Sequence, residues 1–142
     1  MNRQDIPRPH HAAAGISLTF SRKKVILNPK KKKRMLDIYI ARHGQNEDNA
    51  RGILNGHRDL PLTELGIEQA ARLAQHMKAE GLAFDAVFSS PLCRAYDTAQ
   101  VVTRTLGMDD PIRLDLLIER DFGIMTGMPV ADIPVLCDPD DI

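Results

Sequence analysis

From Met35 onward the chain alternates short β-favouring runs with amphipathic helical runs, and this alternation limits the fold more than any other feature. Leu36-Asp37-Ile38-Tyr39-Ile40 has the period-two pattern of a strand. A loop rich in Asn, Gly and Asp follows over residues 44–59, with a short helical turn around residues 47–51. Thr63 reads as a helix N-cap, Glu64 as an acid in the first turn and Gly81 as the stop. Between them Ile67, Ala70, Ala71, Ala74 and Met77 make one apolar face. Residues 84–88 form a second, buried strand, and Ser90-Pro91 opens a second helix, proline sitting where its missing N–H costs nothing. Leu92, Ala95, Ala99, Val102 and Leu106 are its buried stripe, Gly107 ends it, and residues 112–118 supply a third strand. The order strand, helix, strand, helix, strand predicts an α/β fold with a largely parallel sheet.

A net charge of zero over 142 residues hides a division. Residues 1–34 carry ten basic side chains against the single acid Asp5, a net of +9; the remainder carries nine basic against eighteen acidic. Pro7, Pro9, Gly15 and Pro29 punctuate the basic segment, which lacks a sustained period and is expected to be a disordered tail, leaving residues 35–142 as the folded domain. Three readings of the tail compete: nucleic-acid or acidic-membrane binding through Lys30 to Arg34, a targeting segment, or sequence upstream of a true start at Met35. No aromatic residues interleave the lysines, which weakens the nucleic-acid reading. The two cysteines, Cys93 and Cys137, lie far apart and in no metal-ligand spacing, so a disulfide framework or zinc site is not expected and a reducing, cytoplasmic setting is. No apolar run is long enough for a membrane-spanning helix.

Ligands of open α/β sheets bind at the carboxyl ends of the strands. Those ends carry Arg42-His43-Gly44, then Ser89-Ser90 with Arg94 one turn into the next helix, then Glu119-Arg120. Each residue alone has a plainer role: a structural histidine, a solvated helix arginine, a surface acid. Together they suit phosphoryl transfer. A neutral imidazole attacks phosphorus and splits one displacement into two, and guanidiniums match the equatorial oxygens. Glu119, if kept protonated by burial or nearby negative charge, would donate to the leaving oxygen, and Gly44 would let backbone approach the phosphate. His57, in a loop near the same edge, is a weaker candidate for substrate contact. His76 is expected to be exposed, and His10 and His11 to be inert.

The same residues carry a resemblance. Arg42-His43-Gly44 begins RHGQNEDN; Asn49 follows, then residues 56–63 (GHRDLPLT), Gly66, Gln69-Ala70, residues 88–95 (FSSPLCRA), Thr98-Ala99, residues 119–123 (ERDFG) and Gly127. This ordered set resembles the histidine phosphatase superfamily, also called phosphoglycerate mutase-like. The resemblance implies a three-layer α/β sandwich with a mostly parallel central sheet. It implies His43 as the phosphorylated nucleophile, Glu119 as proton donor, Arg42 and Arg94 as phosphate-binding residues, and Asn49 as a pocket residue, with no metal and no organic cofactor.

Gln45 and Asn46 stand where the family usually has Glu and Ser or Thr, and the chain has no histidine after His76, whereas the family carries a second catalytic histidine late in its domain. The expectation is therefore a C-terminally truncated domain of marginal stability, prone to associate through uncovered sheet edges. Its expected function is a phosphatase acting on a small phosphorylated metabolite. A phosphoglycerate mutase-type phosphotransferase and an inactive fragment that only binds phosphate or a partner are the alternatives.

Overall fold

The computed structural model describes residues 20–27 and 34–136. The basic run Lys30 to Lys33, His10, His11, Cys137 and the closing acidic residues lie outside them. The chain divides into two compact units, Met1–Arg42 and His43–Ile142.

In the first unit, strand β1 (Phe20–Leu27) pairs antiparallel with β2 (Arg34–Ala41), in a register that sets Phe20 opposite Ala41, Arg22 opposite Tyr39 and Lys24 opposite Asp37. This corrects the expectation of a disordered tail through residue 34. The charged run Arg22-Lys23-Lys24 hides the strand in the sequence, but strand side chains alternate between faces, so an exposed hairpin tolerates it. Cross-strand contacts supply what the sequence lacks locally. The Phe20 and Tyr39 rings stack 6.3 Å apart, and Arg22 lies over Tyr39 and donates to Asp37 at 2.8 Å. That hydrogen bond holds the Asp37 carboxyl below its ordinary range.

The second unit begins with the short helix α1 (Glu47–Arg51), closed by a reciprocal cap between Asn46 and Asn49 and ended by Gly52 in the left-handed region. Helix α2 (Glu64–Ala79) starts at Thr63, whose hydroxyl accepts from Gly66 N–H, and packs against α3 (Cys93–Leu106), which ends at Gly107 with φ 70°. Both helix ends match their sequence signals. Pro91 does not open α3; Leu92 takes the N-cap position and offers no side-chain acceptor, and the Asp59 carboxylate takes the Cys93 N–H instead, at 2.6 Å.

The buried faces differ from the predicted stripes. Gly66, Ala70, Leu73, Ala74 and Met77 are buried on α2, while Ile67 is 52% exposed. On α3, Val102 is buried beside three polar residues, Arg94, Thr98 and Thr103.

The sheet is smaller than expected. Strand β3 (Phe88–Ser89) pairs parallel with β4 (Ile112–Arg113). The 3-10 turn Asp115–Leu117 takes up most of the remaining predicted third strand, and a second such turn spans Gly123–Met125. Among the described residues the strands form two two-stranded sheets, one antiparallel and one parallel, and not the expected three-layer sandwich. A strand exists by its neighbours; with one partner each, β3 and β4 stay short and leave Phe88, Ile112 and Leu117 about half exposed. A last helical turn, Ile133–Leu136, closes the described chain. No helix among the described residues is long and apolar enough to cross a membrane.

Candidate active site

His43 opens the second unit, half-buried, with its Nδ1 2.7 Å from the Gly44 carbonyl oxygen. A carbonyl can only accept, so in the neutral ring Nδ1 carries the hydrogen and Nε2 carries the lone pair. Gly44 N–H donates to Thr98 Oγ1 at 3.0 Å, and the Thr98 hydroxyl donates to the Arg94 carbonyl at 2.8 Å. One buried hydroxyl thus joins the residue beside the imidazole to the first turn of α3.

Arg94 is 2% exposed. Its Nη1 donates to the Arg58 carbonyl at 2.8 Å and its Nη2 to the Gly56 carbonyl at 3.0 Å. No carboxylate forms an ion pair with it among the described residues. A buried guanidinium satisfied only by neutral carbonyls keeps its charge uncompensated, which suits an anion.

Asp48, also 2% exposed, accepts two hydrogen bonds from Arg58, from Nε at 2.6 Å and from Nη2 at 3.2 Å. Loop residues 55–58 close a turn through Arg58 N–H to the Asn55 carbonyl, and Asn55 accepts from Asn46 Nδ2.

The remaining expected site residues are placed differently. At Gly44 a Cβ would stand 2.3 Å from the Gly66 carbonyl oxygen, so the missing side chain lets loop and helix backbones touch. Asn49 spends its side-chain oxygen on Asn46 N–H in the α1 cap. Glu119 is exposed, not buried, and its carboxylate accepts from Arg120 N–H at 3.0 Å. His57, exposed, meets the Glu119 carbonyl through Nε2, which brings those two residues together. Arg42 is exposed and belongs to the first unit. His76 is exposed on α2, as expected.

Asp48, Arg58, Asp59 and Thr98 were missed as supporting residues. Thr98 carried a signal, since a polar residue four positions after Arg94 shares its helix face. Asp48 and Arg58 looked like ordinary loop charges.

Cys93 sits beside Asp59 and Asp97. Burial first, then Asp59, pushes its thiol up to about 11 from 9.0. At pH 8 its alkylation is expected to run about a hundredfold slower than that of an unperturbed thiol, because only the thiolate reacts. Iodoacetamide rates against pH should show a midpoint near 11, and Asp59→Asn should lower it. A wild-type midpoint near that of a free thiol, about 8.5, would contradict this environment.

Comparison with known proteins places the chain in a family. The model of the histidine phosphatase superfamily (branch 1) matches residues 38–137. A 2,3-bisphosphoglycerate-dependent phosphoglycerate mutase of Parvibaculum lavamentivorans is 41% identical over 97 residues, covering 67% of this chain and 46% of that protein. Among solved structures, a mycobacterial glucosyl-3-phosphoglycerate phosphatase bound to VO3 is similar with a TM-score of 0.61 and 30% identity, over 68% of this chain and 46% of that one. The phosphoserine phosphatase of Entamoeba histolytica in complex with 3-phosphoglyceric acid is similar with a TM-score of 0.57 and 35% identity, over 65% and 44%. The chain spans about half the length of the relatives it matches.

Proposed function

This chain belongs to the histidine phosphatase superfamily, and we propose that it serves as a metal-independent phosphatase of a small phosphorylated metabolite, working through a phosphohistidine on His43. The observation that carries the reading is Arg94, a buried guanidinium without an ion-pair partner among the described residues, joined through Thr98 to the residue beside His43. Nε2 of His43 attacks phosphorus, the bond from phosphorus to the ester oxygen breaks, and Glu119, beside the negative charge of the bound ester, gives that oxygen its proton. Water then attacks the phosphohistidine and gives a proton back to the Glu119 carboxylate, the bond from phosphorus to Nε2 breaks, and orthophosphate leaves with the imidazole restored. Arg94 holds the equatorial oxygens through the N–H groups that its two carbonyl partners leave over. Arg42 joins Arg94 in binding phosphate on the strength of the sequence motif alone, as does Asn49 in lining the pocket. His57, next to Glu119, is a substrate contact. The proposal extends to the fold, a three-layer sandwich with a mostly parallel central sheet, supported by the likeness to the two phosphatase structures.

The substrate class draws support from the relatives, a phosphoglycerate mutase, a glucosyl-3-phosphoglycerate phosphatase and a phosphoserine phosphatase. A mutase reading is favoured by the 41% identity to a phosphoglycerate mutase. Incubation with 3-phosphoglycerate and a bisphosphoglycerate primer separates the two: a phosphatase releases orthophosphate, a mutase yields 2-phosphoglycerate.

The test of the main reading is hydrolysis of p-nitrophenyl phosphate in EDTA. Turnover should survive the chelator and fall about a thousandfold or more in His43→Ala. A folded chain that binds phosphate without turnover would favour the binding-only alternative.

A further inference from the structure

The carbonyls that hold Arg94 belong to a loop, and a loop carbonyl is only as fixed as the loop itself. Arg58 is the residue through which this loop is anchored. Its backbone oxygen accepts from Arg94 Nη1, while its side chain donates to the buried carboxylate of Asp48. The Arg58 side chain is 44% exposed, against 3% for that of Asp48, so solvent reaches one end of the pair only. The guanidinium also packs on Gly127, where a Cβ would stand 3.1 Å from Nη1. Gly127 is itself tied down, with its N–H donating to the Leu54 carbonyl at 2.9 Å. Asp48 is equally fixed: it lies in the capped helix α1, and its own carbonyl accepts from Ile53 N–H at 2.8 Å.

We propose that Asp48 is a positioning residue for phosphate recognition: by gripping the Arg58 side chain it fixes the Arg58 and Gly56 carbonyls that aim the Arg94 guanidinium. The proposal rests on the reading of Arg94 as a phosphate-binding group. Bidentate pairing explains why Asp48 suits the task, since two parallel hydrogen bonds fix the orientation of a guanidinium as well as its distance. Neither side chain of the pair needs to touch the phosphate. Removing the grip frees the loop to shift, and a displacement of about 1 Å in a supporting shell is enough to weaken a polar site strongly.

The experiment is calorimetric titration of the full chain with inorganic phosphate, at a temperature where circular dichroism shows every variant folded. Asp48→Asn should weaken phosphate about tenfold, and Asp48→Glu should recover part of the loss. Arg58→Lys, which loses the fork but keeps a cation beside the buried carboxylate, should weaken binding severalfold and keeps the test open if Asp48→Asn fails to fold. Asp48→Asn combined with Arg58→Gln should bind no more weakly than Arg58→Gln alone, because both break one relay. Leu73→Ala, which destabilises the packing of α2, should lower the melting temperature without changing phosphate affinity. Wild-type affinity in folded Asp48→Asn or Arg58→Lys, or losses that multiply in the double variant, would overturn the proposal while leaving Arg94 in place. Absence of phosphate binding by the wild-type chain would overturn the phosphate-site reading and this inference with it.

Discussion

Gly66→Ala is expected to abolish or severely weaken cooperative folding of the unit that begins at His43. In most helix interiors the same change stabilises by about 1 kcal/mol, because alanine loses less backbone freedom on folding. Here the sign reverses. A Cβ on Gly66 would stand 2.0 Å from the Gln45 carbonyl oxygen, a backbone atom that cannot swing aside. Gln45 is held at both ends, its N–H donating to Gln69 Oε1 and its carbonyl accepting from Thr63 N–H, each at 2.9 Å. Relief therefore requires moving α2 or the segment that carries His43. Overpacking of this kind costs about 3 kcal/mol at the upper end of its usual range, a large part of a small domain's stability. Urea denaturation followed by circular dichroism should show a midpoint moved far down or no cooperative transition. An unchanged or raised midpoint would show that loop and helix are not in contact.

Arg94→Ala should produce the second large effect, on binding and stability together. The Gly56 and Arg58 carbonyls lose their donors, and a buried acceptor left unpaired costs about 1–3 kcal/mol. Phosphate affinity should fall about a hundredfold or more, as expected when a charge-assisted fork is lost from a buried site. Arg94→Lys should retain the charge but not the fork, giving intermediate losses of both. Calorimetric titration with phosphate and urea melts of the two variants check this. Wild-type phosphate affinity in Arg94→Ala would remove Arg94 from the site.

The features legible in the sequence were local ones. Thr63 caps α2 and Gly107 ends α3 because cap chemistry is decided within a turn of the chain. Strands were less legible, since their extent depends on partners remote in sequence. The period-two run at residues 36–40 predicts the strand that forms there, but Arg22, Lys23 and Lys24 hide its partner Phe20–Leu27. The run at residues 112–118 became a two-residue strand and a 3-10 turn, because only β3 pairs with it. Helix faces were misjudged for a related reason. Hydrophobicity counted Ile67 as buried and passed over Gly66, yet contact with the Gly44–Gln45 backbone demands the residue without a side chain. On α3 the buried face carries Arg94 and Thr98, polar residues that an apolar stripe cannot predict.

The candidate site divides along the same line. His43 and Arg94 stood out through residue type and position. Asp48, Arg58 and Thr98 act through tertiary hydrogen bonds that the sequence does not display. The donor role of Glu119 calls for burial or nearby negative charge, and the residue is exposed. Nothing in its neighbours' composition distinguishes a buried from an exposed acid at the end of a two-residue strand and a 3-10 turn.

Covalent phosphorylation of His43 is tested by mass spectrometry of the chain quenched at alkaline pH during turnover of a phosphate ester in EDTA. A phosphohistidine survives alkali and is lost in acid. An added phosphoryl group is expected on the peptide that carries His43, absent from His43→Ala and removed by acid. A folded chain that turns over substrate with no such group, or with the group on another residue, would contradict it.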